Sequence, residues 1–127
     1  MIKHILKINN IPAILWGDKS DKLFIAVHGN MSHKADEVIV LLAEEALSKG
    51  YQVLSFDLPE HGDRRHEPYV CKVQNCLCDL GTVMNYAKSL SNSISLFGCS
   101  MGAYFSLLEY NHTPFTQCLF LSPVLNM

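Results

Sequence analysis

The sequence predicts an α/β domain, a three-layer sandwich in which helices cover both faces of a mostly parallel sheet. Two observations predict it. Apolar runs rich in β-branched and aromatic residues alternate with longer stretches whose apolar residues recur at helical spacing. One of those runs, LFIAV at residues 23–27, is apolar at every position, as a strand covered on both faces must be. With 127 residues and no repeat, low-complexity tract or linker, the chain reads as one unit, residues 1–127.

The elements follow in order. IPAILWG (residues 11–17) and KLFIAVHG (22–29) read as strands joined by the polar turn from Asp18 to Asp21. Ile39, Leu42, Ala43, Ala46 and Leu47 recur at i, i+3, i+4, i+7 and i+8, which makes an amphipathic helix, and Gly50 stands where the residue closing that helix belongs. YQVLSFDLP (51–59) is the next strand, followed by a polar loop to about Pro68. Val73, Leu77, Leu80, Met84 and Ala87 mark the apolar face of a second helix. ISLFG (94–98) is a short buried strand, a helix runs from Met101 to about Tyr110, and CLFLSP (118–123) is a last strand.

Composition excludes several classes of function. Nearly half the residues are apolar, so the chain can bury a core and is no disordered tail. The net charge is −2 with lysines and arginines scattered singly, which leaves no basic stripe for nucleic acid. The first twenty residues are broken by Asn9, Asn10, Pro12 and charges, unlike a signal peptide, and no stretch reaches the ~18 apolar residues of a membrane span. The expected location is cytoplasmic. The five cysteines, Cys71, Cys76, Cys78, Cys99 and Cys118, then read as reduced thiols. Cys71, Cys76 and Cys78 sit in a helical pattern, on which Cys76 lies off the face shared by the other two, so three metal ligands would not converge. No metal or organic cofactor is expected.

Gly98-Cys99-Ser100-Met101-Gly102 matches G-x-S-x-G between a predicted strand and a predicted helix. In so sharp a turn, side chains two residues either side of the serine would strike neighbouring backbone, which is the mechanical reason for Gly98 and Gly102. Ser100 is thereby lifted to the C-terminal edge of the sheet, at a helix N-terminus whose free N–H groups favour developing negative charge. The plainer reading is an ordinary turn with serine as helix N-cap. Against it stands His28-Gly29-Asn30, which ends the apolar strand where a second N–H is needed. Gly29 lets the chain turn so that the amide of Asn30 faces the same point as that of Met101, an oxyanion site. The His28 side chain itself reads as a packed loop histidine.

With HGN after one strand, FDLPEHGDR (56–64) after the next and GCSMG at the serine turn, the chain resembles the α/β-hydrolase family, in the family's order. The middle segment is similar to the family's D-x-P-G-H-G-x-S loop, with Glu60 in place of the first glycine and Arg64 in place of the serine. The resemblance implies a serine hydrolase acting on an ester, thioester or amide of a small acyl substrate, with Ser100 as nucleophile. It also implies structural roles for Asp57 and His61 beneath the site.

In that family the triad runs Ser, then Asp or Glu, then His. After Ser100 the chain has no Asp, one Glu (Glu109) and one His (His112). A helix starting at Ser100 carries residue 112 about 16 to 18 Å away, whereas a base must come within ~3 Å, or one water, of the hydroxyl. His28, His33, His61 and His66 lie upstream on loops at the active edge, near Asp57, Asp63 and Glu67, and a non-standard dyad would have to use one of them. The preferred expectation is that the base lies beyond residue 127 and that the chain is the N-terminal part of a longer hydrolase. Its last strand would then lack a neighbour, and self-association through the edge from Cys118 to Ser122 is expected. A rival of another class is a non-catalytic domain that binds ligands in the same crevice. A nucleotide-binding α/β domain is disfavoured, because neither G-x-G-x-x-G nor G-x-x-x-x-G-K-[ST] occurs.

Overall fold

A computed structural model describes residues 1–121. Six strands, β1 (Lys3–Ile8), β2 (Ile11–Trp16), β3 (Lys22–Val27), β4 (Gln52–Phe56), β5 (Ser93–Cys99) and β6 (Cys118–Leu121), form one sheet in the order β1-β2-β4-β3-β5-β6. β3 to β6 are mutually parallel, and β1 and β2 add an antiparallel pair beside β4. Helices α1 (Glu37–Ser48), α2 (Val73–Leu90) and α3 (Met101–Tyr110) complete the three layers.

Alternation along the central strands divides the core in two. Leu23, Ile25 and Val27 of β3 face α2 and α3, packing with Leu80, Val83, Ala87, Met101 and Phe105. Phe24 and Ala26 face the other way, onto Ile39, Ala43 and Ala46 of α1. An all-apolar strand is what two covered faces require, and β3 sits at the centre between β4 and β5.

The ends of α1 are set locally. Asp36 is its N-cap, with Oδ1 accepting from Ile39 N–H at 2.8 Å. At the other end Tyr51 N–H donates to Ala46 O and Gly50 N–H to Leu47 O, a Schellman closure that needs a left-handed residue, and Gly50 has φ +86°.

Three expectations are corrected. β1 was not foreseen: it pairs with β2 through a two-residue turn at Asn9-Asn10, with Asn9 at φ 55°, and five of its six residues are exposed or only partly buried. The buried face of α2 is Cys76, Leu80, Val83, Met84 and Ala87, while Val73 in its first turn is exposed. Cys71 precedes α2 rather than lying on it, so the shared face expected for Cys71 and Cys78 does not exist, and the Cys71 sulfur touches that of Cys76 instead. Of the strand expected at 118–123, residues 118–121 are β6, and Ser122 and Pro123 lie outside the described residues.

Candidate active site

Ser100 lies between the end of β5 and the start of α3 with φ 53° and ψ −116°, a conformation that costs a non-glycine residue free energy. Its hydroxyl makes no capping bond to α3, so the plain N-cap reading fails. Its own N–H donates to Leu121 O at 2.9 Å, and its carbonyl accepts from Tyr104 N–H at 3.2 Å.

The two flanking glycines are required by space. A Cβ on Gly102 would overlap the carbonyls of Val27 and His28, because the first turn of α3 lies directly on the end of β3. A Cβ on Gly98 would come 2.9 Å from Ala103 Cα and 3.1 Å from its nitrogen. Gly29 approaches from the other side: a Cβ there would stand 3.2 Å from both Cys99 O and Ser100 Cβ. The parallel pairing of Val27 with Gly98 sets these two strand ends side by side. Asn30, next in sequence to Gly29, is exposed, and Met101 is buried at the head of α3.

The segment from His28 to Asp36 is fastened to the segment after β4 at three points. His28 is fully buried, and its Nε2 accepts from Leu58 N–H at 3.0 Å, so the proton sits on Nδ1 and is donated to Gly29 O at 2.7 Å. Burial is the main force pushing its pKa down, to about 4. His61 repeats the pattern, with Nε2 accepting from Met31 N–H at 3.1 Å and Nδ1 against Pro59 O at 2.8 Å. Met31 is held at φ 60° with its side chain in solvent.

The third fastening is an ion cluster built on the buried Asp57 and reaching the surface at Asp63. Asp57, fully buried, accepts from Lys34 N–H (2.9 Å), Lys34 Nζ (2.8 Å) and Asp63 N–H (3.0 Å), and Lys34 Nζ also binds Asp63 (2.8 Å). Burial lowers the Lys34 pKa, but the bonds to the two carboxylates outweigh it and the net direction is up. The same bond holds Asp63 below the usual carboxylate range. Gly62 has φ +56°, and a Cβ there would overlap the Asp57 carboxylate. Sequence reasoning assigned Asp57 and His61 structural places on the strength of a resemblance and missed Lys34, a single lysine in a polar stretch with no periodicity to mark it.

The two departures from the family loop have physical accommodations. Glu60, where the D-x-P-G-H-G-x-S pattern has glycine, is at φ +66°, and its Oε2 accepts from Cys71 N–H at 2.8 Å. Arg64 is buried, with its guanidinium bonded to Asp79 (2.7 Å), Asp57 O (3.1 Å) and Glu67 (3.2 Å). Between the two fastened loops lies a cavity of about 470 Å³ lined by Met31, Ser32, His33, Lys34, Glu60, His61, Gly62, Asp63 and Arg65.

No protein-family model matches the sequence, and no curated protein does. Solved structures do. Est1E of Butyrivibrio proteoclasticus, solved with ferulic acid bound, superposes with a TM-score of 0.77 at 21% identity over 94% of this chain and 52% of that one. The α/β hydrolase GrgF from a Penicillium species gives 0.78 at 17% identity, covering 96% and 45%. An esterase of Pyrococcus furiosus gives 0.75 at 22% identity, covering 96% and 48%. The fold is therefore that of an α/β-hydrolase, present in part. The chain spans about half the length of the solved structures it matches.

Proposed function

We propose that this chain carries the nucleophile and oxyanion site of a serine hydrolase that cleaves a carboxylic ester, thioester or amide through an acyl-serine. Ser100 attacks the carbonyl carbon, and the amides of Asn30 and Met101 hold the oxyanion that forms. The observation that carries the reading is the serine turn: a strained backbone, a hydroxyl with no capping duty, and glycines on both sides that a methyl group would break. Strain of this kind is kept where the surroundings over-determine it, and here it serves to present one oxygen.

The general base belongs outside residues 1–127 in this reading. His28 and His61 each spend the Nε2 lone pair on a backbone N–H, so neither has a basic nitrogen free for Ser100 while those bonds last. A downstream histidine and carboxylate would take the proton and orient the base, as in a Ser-His-Asp arrangement. A cytoplasmic location is part of the reading, and the odd number of cysteines fits it; among the described residues no helix is long and apolar enough to cross a membrane.

The test is covalent. A form of the protein extended beyond residue 127 is expected to take a fluorophosphonate label at Ser100 and to lose it in Ser100→Ala. The 127-residue chain should turn over a p-nitrophenyl ester very slowly, since loss of a triad member costs orders of magnitude. Absence of any label on the extended form would favour the non-catalytic binding domain. Rapid turnover by the short chain, abolished by His61→Ala, would overturn the assignment of the base.

A further inference from the structure

The Cys71 and Cys76 sulfurs are 3.6 Å apart, and no other pair of cysteine sulfurs among the described residues is in contact. They come from different kinds of backbone. Cys71 is in the irregular segment before Lys72, the extended N-cap of α2, while Cys76 faces inward from the first turns of the helix. Closing to a bond of ~2.05 Å requires a movement of about 1.5 Å, which the segment outside the helix can supply without disturbing α2.

Their exposures differ in a useful way. Cys71 is half-buried and open to a small reagent, whereas Cys76 is fully buried in the core beneath α2. Burial pushes both thiols up, so the half-buried Cys71 reacts slowly with a reagent from solution and the buried Cys76 does not meet one. An internal reaction between sulfurs already in contact escapes that limit, because its effective concentration is fixed by the fold.

We propose that Cys71 and Cys76 form a reversible disulfide site whose oxidant is a low-molecular-weight disulfide such as oxidised glutathione. The Cys71 thiolate attacks one sulfur of the small disulfide, forms a mixed disulfide and releases one small thiolate. The Cys76 thiolate then attacks Cys71 Sγ and expels the second. Two protein thiols lose two electrons and two protons, and one small disulfide becomes two small thiols. The site stands at the end of the loop that carries Glu60 and His61, because Glu60 Oε2 accepts the Cys71 N–H. It does not depend on the serine-hydrolase reading.

Trypsin cuts after Lys72 and so separates the two cysteines into peptides 66–72 and 73–88. After incubation of the intact 127-residue chain with oxidised glutathione, these peptides are expected to stay joined until a reductant is added, with the protein lighter by two hydrogens. Cys78→Ser should keep the link. Cys76→Ser should lose it and retain glutathione on Cys71. Separate peptides with glutathione still on Cys71 in the unaltered chain would overturn the proposal, and so would a link lost in Cys78→Ser.

Discussion

Gly102 is the position where one methyl group would do most damage. Its Cβ would meet two carbonyl oxygens of backbone at the end of β3, and backbone in a sheet interior cannot step aside as a flexible side chain can. Gly102→Ala is expected to cost about 3 kcal/mol or more, against roughly 1 to 3 for Gly98→Ala, read from urea denaturation of each variant. Ser95 offers the opposite case. Its hydroxyl is buried in β5 with no hydrogen-bond partner, so Ser95→Ala should leave stability unchanged or raise it by up to about 1 kcal/mol. A fall of 2 kcal/mol in Ser95→Ala would show that the hydroxyl has a partner. The serine turn was legible from letters because its glycines answer a steric demand that only one residue type meets. Lys34 was not, since its role comes from two carboxylates 23 and 29 residues away in the chain.

His28 makes stability depend on pH. Its pKa is about 4 in the fold against about 6.5 in an unfolded chain, so between those values the unfolded state binds more protons. Stability is therefore complete above about pH 6.5 and falls as pH drops toward 4. A shift of this size is worth about 3 kcal/mol from this one group. Urea midpoints measured from pH 7 to pH 4 should show the decline, and His28→Gln should flatten it even though that variant starts from a lower stability.

At the scale of elements, the two loops above the sheet behave as one body because the β3 segment and the β4 segment are joined at three points. Lys34→Met would leave the fully buried Asp57 without its cation, and a loss of about 3 to 5 kcal/mol is expected, part of which Lys34→Met with Asp57→Asn should recover. Denaturation of the single and double variants is the measurement, and equal stability of the two would sink the idea that the unpaired charge is the cost. Periodicity located α1 and α2 because each has an apolar stripe, whereas α3 was placed by the serine turn that precedes it. It located the face of α2 less well, since Val73 belongs to a first turn that has not yet reached the core. β1 escaped because a strand lying mostly in solvent shows little apolar alternation, although the Asn9-Asn10 pair is a hairpin signal in its own right.

For the whole molecule, the last described strand is the exposed margin of the sheet. Leu119 and Leu121 of β6 are 53% and 45% exposed, whereas Phe120 packs against the α2 and α3 side of the core. Self-association through this margin is expected at tens of micromolar. Leu119→Lys is the sharper probe than Phe120→Lys, because it adds charge without emptying a core position. Light scattering that reports a monomer in both the unaltered chain and Leu119→Lys would dismiss the expectation. Strand order was beyond the reach of sequence, since nothing in the letters of β3 says that β4 and β5 will lie on either side of it.

That order also sets a timetable. β3 pairs with β4 on one side and with β5 on the other, yet β5 begins about 70 residues after β3. At ~5 to 20 residues per second of synthesis, the β5 side of β3 stays open for about 4 to 14 s after β3 emerges from the ribosome. For that interval Leu23 to Val27, the most apolar segment of the chain, presents a row of unsatisfied amides and carbonyls to whatever passes. The Ser100 turn is thus the latch that closes this edge: β5 pairs with β3 and Gly102 settles onto Val27 only after that wait is over.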